Sequence, residues 1–246
     1  MLLIAHRGSS GIAPENTLAA FRQAVRDGAS MIELDVRLSA DREVVVIHDR
    51  RLWRITRRRG HVRRTPGVEL KSLDAGSWFG PEFAGETIPS LEGVLQVLPP
   101  GIALDIEVKT DGDRRRNGQM AKALGEMITH GSRRRGLLIS SFDHRFLARF
   151  HRMYPGIPLA VLYMPVRDLG RSPSRLARRV GAGTFVCSRA QMRKRLVRDA
   201  REHGLRILVY GVQTLHHLSS MERYGVDGII TDYPARMVRT VAAKEN

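Results

Sequence analysis

Nine short apolar runs punctuate this chain, and most are followed by a stretch whose apolar residues recur every three or four positions. The runs cover residues 2–5, 31–37, 44–47, 102–107, 136–140, 159–162, 184–186, 207–210 and 228–230. Between them Phe21, Ala24 and Val25, then Leu147 and Phe150, then Leu196, Val197 and Ala200 fall at the spacing of a single buried helix face. Strand and helix in repeated succession give a parallel sheet covered by helices. A closed (β/α)8 barrel and an open doubly wound sheet share that rhythm, so periodicity leaves both standing. At 246 residues the chain suits one barrel-sized domain over residues 1–246. The rhythm breaks between residues 49 and 90, where Pro66, Pro81, Pro89 and several glycines interrupt any long helical period. This segment reads as an insertion after an early strand.

Two of the apolar runs carry acids where alternation places them on one face. In residues 31–37, Glu33 and Asp35 point one way while Ile32, Leu34 and Val36 point the other. Residues 103–109 repeat the device, with Asp105, Glu107 and Lys109 sharing a face. Carboxylates turned into a barrel cannot all stay charged without a cation or donors, because an unpaired buried charge is too costly. Glu33, Asp35 and Glu107 are therefore expected to bind one divalent cation. Oxygen-only ligation favours Mg²⁺ or Ca²⁺ over zinc or copper. The competing account is a set of internal salt bridges made with Lys109 and a nearby arginine.

His6 and His48 each follow a strand, and two imidazoles titrating near neutrality can take a proton at one point and deliver it at another. The other seven histidines sit in loop-like or helical contexts and read as surface or capping residues. Arg7 and Lys109 suit the grip of an anionic group such as phosphate. Asn16 or Thr17 should cap the helix containing Phe21, and Glu15 and Asn16 are expected to steady the residues that meet metal and phosphate.

The formal charge is +16, and only five of the basic residues are lysines. The arginines are scattered, with no zinc-finger, RNP or basic-heptad pattern, which argues against a nucleic-acid partner. Eight of them, Arg50, Arg51, Arg54, Arg57, Arg58, Arg59, Arg63 and Arg64, load the insertion beside His48 and would draw anionic substrates or an anionic membrane surface. No apolar run approaches the roughly 18 residues that span a bilayer. With one cysteine, Cys187, and no basic leader before an apolar core, the expectation is a soluble, cytoplasmic protein.

Taken in order, His6-Arg7-Gly8, Ala13-Pro14-Glu15-Asn16-Thr17, Glu33-Leu34-Asp35-Val36, His48-Asp49, residues 73–79, Ile88-Pro89-Ser90-Leu91, residues 105–109, Ser140-Ser141-Phe142-Asp143 and residues 225–232 resemble the glycerophosphodiester phosphodiesterase family over nearly the whole length. The resemblance implies a (β/α)8 TIM barrel of phosphodiesterase type with a small insertion after His48. It implies His6 and His48 as an acid-base pair, Glu33, Asp35 and Glu107 as metal ligands, and Arg7 and Lys109 as phosphate contacts. The implied reaction is metal-dependent hydrolysis of a small glycerophosphodiester to sn-glycerol 3-phosphate and an alcohol. Two rivals stand beside it: a barrel acting as a lysophospholipase D, and a non-catalytic anion- or membrane-binding barrel. Many family members carry Trp-Thr-Val-Asn near the seventh strand, where this chain has Tyr210-Gly211-Val212-Gln213. That departure bears on substrate preference and leaves the chemistry untouched.

Overall fold

A computed structural model describes residues 1–131 and 136–242; Lys244 and the side chain of His130 fall outside what it describes. Each of the nine apolar runs forms a strand: β1 (Leu2–His6), β2 (Met31–Leu38), β3 (Val44–Val46), β4 (Ala103–Val108), β5 (Leu137–Ser141), β6 (Leu159–Leu162), β7 (Thr184–Ser188), β8 (Arg206–Tyr210) and β9 (Gly228–Thr231). Eight of them run parallel around a ring in the order β1-β9-β8-β7-β6-β5-β4-β2, and β1 pairs with β2 to close it. The closed barrel is thus the outcome, and the open sheet is excluded. β3 is antiparallel to β2 and adds an outer edge. Seven longer helices fill the crossovers, α1 (Leu18–Arg26), α2 (Leu91–Val97), α3 (Arg114–Gly131), α4 (His144–Met153), α5 (Pro173–Arg178), α6 (Lys194–Glu202) and α7 (Leu215–Tyr224), and α8 (Pro234–Ala242) follows β9.

Strand alternation divides the apolar residues into two cores. Outward-facing Leu3, Ile32, Leu34, Ile106 and Val161 pack against Phe21, Phe146, Phe150 and Leu196 on the helices. Inward-facing Ile4, Met31, Leu138, Ala160, Val186, Leu208 and Ile230 fill one end of the barrel. The acids of β2 and β4 continue those inward-facing positions toward the C-terminal strand ends, where barrel enzymes build their sites.

The insertion between β3 and α2 has a small core of its own, in which Val45, Ile47, Leu52, Ile55, Val62, Leu70 and Ile88 bury one another. Asp74 organises its far loop by accepting from the backbone N–H groups of Gly76, Ser77 and Gly85. Gly76 is required there, since a Cβ would lie 1.9 Å from the carbonyl oxygen of Phe83. Among the described residues no helix is long and apolar enough to cross a membrane.

Candidate active site

The register of the barrel brings the acids together. β2 and β4 pair with Asp35 opposite Glu107 and Glu33 opposite Asp105, and β1 places His6 opposite Glu33. Carboxylate oxygens of Glu33, Asp35 and Glu107 all lie within 4.8 Å of one another, and all three residues are buried. Glu33 Oε1 is buried without any hydrogen-bond partner. Lys109 supplies a counter-charge, with its Nζ 3.1 Å from Asp35 Oδ1 and hydrogen-bonded to Glu107.

These acids compete for that positive charge. Burial, reinforced by repulsion from Asp35 and Glu107, raises the carboxyl of Glu33 well above the usual range. Burial raises Glu107 as well, against the pull of Lys109. The same burial opposes ionisation of Asp35, but Lys109 and Arg7 outweigh it and hold Asp35 below the ordinary carboxylate range. The protein's own cations therefore satisfy one acid of the three. An orphaned buried oxygen in an all-oxygen donor set fits a hard divalent cation, which would hold all three ionised. Asp105 is not part of this set. It is fully buried, accepts from Ser140 Oγ at 2.6 Å, and is pushed up to about 7 by burial against that hydrogen bond.

The loop after β1 is bent to serve the triad. Gly8 turns at φ +83°, and a Cβ there would lie 2.6 Å from the backbone of Ala20. Arg7 and Asn16 adopt positive φ of 55° and 59°, and the backbone N–H of Asn16 donates to the Arg7 carbonyl at 3.0 Å. Such conformations cost energy for residues with a Cβ and persist where neighbours enforce them. Here they place the Arg7 backbone N–H on Glu33 Oε2 (3.0 Å) and Arg7 Nε 3.0 Å from Asp35 Oδ2. Asn16 clamps Asp35 twice, donating from Nδ2 to Oδ2 (2.8 Å) and accepting the Asp35 backbone N–H (3.1 Å). Thr17, not Asn16, caps α1, accepting from the N–H of Ala20.

Each histidine is held by a carboxylate at Nδ1. His6 donates to Asp232 Oδ1 at 2.6 Å, and His48 to Asp49 Oδ1 at 2.7 Å. Nε2 is left for other work; that of His6 lies 3.9 Å from Glu33. Burial lowers the pKa of His48, opposed by Asp35 and reinforced by Arg7 and Lys109. Asp49 is gripped in turn by Arg54 Nε (2.6 Å), whose two terminal nitrogens reach Glu15 at 2.7 and 2.8 Å. Glu15 also accepts from Arg7 at 2.9 Å, so one chain of ion pairs links His48 to Arg7 and Asp35.

Asp49, Asp232 and Arg54 were not singled out from the sequence, although Asp49 follows His48 directly and Asp232 follows the last strand. Gln213, noted from the sequence only as a departure, lies behind His6. Its Nε2 donates to Asp232 Oδ2 at 2.7 Å and its Oε1 accepts the Asp232 backbone N–H, which puts it one carboxylate from His6. His144, read from sequence as superficial, is half-buried with Nε2 donating to the Leu162 carbonyl at 2.9 Å. Cys187 is buried, its thiol pushed up to about 12.

A barrel with acids, imidazoles and cations gathered at its C-terminal rim has the groups to bind an anion and move protons on it, and comparison with known proteins gives the class. Residues 6–236 match the model of the glycerophosphoryl diester phosphodiesterase family. YhdW of Bacillus subtilis is 39% identical over 239 residues, covering 97% of each chain. The glycerophosphodiester phosphodiesterase of Caldanaerobacter subterraneus is 36% identical, covering 98% of this chain and 97% of its own. Among solved structures, an Oleispira antarctica phosphodiesterase in complex with the product sn-glycerol-3-phosphate superposes with a TM-score of 0.91 at 29% identity, covering 98% and 97% of the two chains. The chain belongs to the glycerophosphoryl diester phosphodiesterase family, and it is a phosphoric diester hydrolase.

Proposed function

We propose that this enzyme hydrolyses glycerophosphodiesters to sn-glycerol 3-phosphate and an alcohol, with Glu33, Asp35 and Glu107 holding one Mg²⁺ or Ca²⁺ and His6 and His48 moving the protons. The observation that carries this reading is the meeting of three buried carboxylates, one with an orphaned oxygen, with two histidines each fixed at Nδ1 by an acid. The substrate class and the product are suggested by the relatives' names and by the product-bound Oleispira structure. When bound, the cation would neutralise negative charge gathering on the phosphate oxygens.

The side chains divide the remaining work. Asp232 and Asp49 fix the tautomers of His6 and His48, leaving each Nε2 able to accept or deliver a proton. One imidazole takes the proton from the nucleophile as its oxygen bonds to phosphorus, that nucleophile being water, or the glycerol 2-hydroxyl whose cyclic phosphate water then opens. The other gives a proton to the alcohol oxygen as its bond to phosphorus breaks. Arg7 and Lys109 contact Asp35 beside these groups and would supply the positive charge that holds the phosphate oxygens.

Product analysis on glycerophosphocholine tests the reading. The expected result is sn-glycerol 3-phosphate and choline, formed with Mg²⁺ or Ca²⁺ and not after chelation. Release of phosphocholine, or no cleavage with either ion, would overturn it.

A further inference from the structure

A large cavity runs away from the triad, beginning beside Arg50 of the insertion. It is a groove of about 960 Å³ that starts at Glu107 and Lys109, crosses the ends of β4 and β5, and continues between α4, the loop after β6, and α5. Nine arginines line it. The two acids that share it are engaged elsewhere: Glu107 belongs to the triad, and Asp143 is saturated, accepting from the N–H groups of Arg145 and Phe146, from Thr110 Oγ1 and from Asn117 Nδ2. Arg167 and Arg171 face the buried Asp168, and Arg37 faces Asp111. Arg114, Arg145, Arg149, Arg152 and Arg179 have no carboxylate partner among the described residues, although Arg149 donates from Nη1 to the Arg114 carbonyl at 3.0 Å. Arg145, Arg149 and Arg152 recur at helical spacing, so α4 presents one cationic stripe to the groove while Phe146 and Phe150 face the core.

A cleft lined by one sign of charge concentrates ligands of the other sign, and arginine suits phosphate oxygens better than any other side chain. Glycerol phosphate and a neutral headgroup would leave these five guanidinium groups unanswered. We infer that the groove selects substrates whose leaving alcohol itself carries phosphate, with the scissile phosphodiester at the triad and the further phosphate along α4. The inference rests on the phosphodiesterase reading and adds to it the class of alcohol.

The test compares two soluble substrates that differ by one phosphodiester, glycerophosphoglycerol and 1,3-bis(glycerophospho)glycerol. At low salt the ratio of kcat/KM, the doubly charged substrate over the singly charged one, should be about 10 or more, within the range of electrostatic capture. It should fall toward 1 in the variant carrying Arg149→Gln, Arg152→Gln and Arg179→Gln, and recover in the matching triple lysine variant, which shows that folding is intact. A wild-type ratio near 1, or one the glutamine variant leaves unmoved, overturns the inference. If neither substrate turns over, the phosphodiesterase reading has failed and the groove is still judged by calorimetry with inorganic tripolyphosphate in EDTA. There the glutamine variant should bind at least tenfold more weakly, and equal binding overturns the inference. A defect confined to phosphatidylglycerol vesicles, with the soluble ratio unchanged, also overturns it and assigns the arginines to a lipid surface beside the exposed Val166 and Leu169.

Discussion

Charge is handled in opposite ways in two regions of the barrel mouth. Behind the histidines it is paired: Arg7, Glu15, Arg54 and Asp49 form an unbroken chain ending on His48. Arg58 pairs with Glu69, and Arg50 reaches the carbonyl of Thr110. Along the groove, five arginines meet no carboxylate among the described residues, although Arg149 reaches the carbonyl of Arg114. Cations paired with carboxylates hold geometry, and those without one keep their charge to offer a ligand. The insertion, expected from the sequence to capture anions, uses Arg54 for positioning and lends Arg50 to the groove, while Arg57, Arg59, Arg63 and Arg64 are exposed and lie outside it. Loading with arginine is therefore a poor guide to function until the acids around each one are known.

Substitutions can break this contrast, beginning where the effect is largest. His6→Ala and His48→Ala should each lower kcat by about 10²–10⁴ with little change in melting temperature, as expected of acid-base groups. A substrate with a good leaving group should rescue only the variant that lacks the acid. Next come the carboxylates behind them. Asp232→Asn and Asp49→Asn remove a charged hydrogen bond worth about 1.5–3 kcal/mol, and steady-state kinetics should show kcat down about 10- to 100-fold. A loss in KM alone would assign those acids to binding. Arg54→Gln should cost less than about tenfold in kcat, because this guanidinium is 42% exposed and screened by solvent. Raising salt should shrink the difference between that variant and wild type.

The acid cluster also predicts a pH dependence whose sign follows from burial. In chelated protein Glu33, Glu107 and Asp105 have folded pKa values above their unfolded ones, with Asp105 at about 7. Their contribution to stability is complete below the ordinary carboxylate range and is lost as pH rises through the raised values. A cation that keeps the triad ionised relieves that loss. The gain in Tm on adding Mg²⁺ or Ca²⁺ should therefore be larger at pH 8 than at pH 5, which calorimetry reads directly. An equal gain at both would place the ion elsewhere.

Much of this architecture was legible because short-range rules carry it. Period-two alternation put Glu33, Asp35, Asp105 and Glu107 on inner faces, and the register of parallel strands then had little freedom in bringing them together. Closure of the barrel was not legible from periodicity, since the β1 to β2 pairing joins segments whose rhythm is the same in an open sheet. The residues behind the histidines were hidden for a related reason. Asp232 lies 226 positions from His6, and Arg54 bridges Glu15 and Asp49 by reaching across a loop, contacts that no local spacing encodes. Gln213 was noticed only as a departure, and its hold on Asp232 emerged from the strand ends that fold beside it.

The central claim is that a cation at Glu33, Asp35 and Glu107 is what sets the two histidines to work, and one measurement addresses it directly. Protein stripped of metal is titrated with Mg²⁺ or Ca²⁺ while binding heat and hydrolysis of glycerophosphocholine are followed together, in wild type and in Glu33→Gln. The account predicts that turnover is absent without metal, rises in step with occupancy of one site in the wild type, and that both signals weaken together in the variant. Undiminished turnover in fully stripped wild-type protein would contradict it.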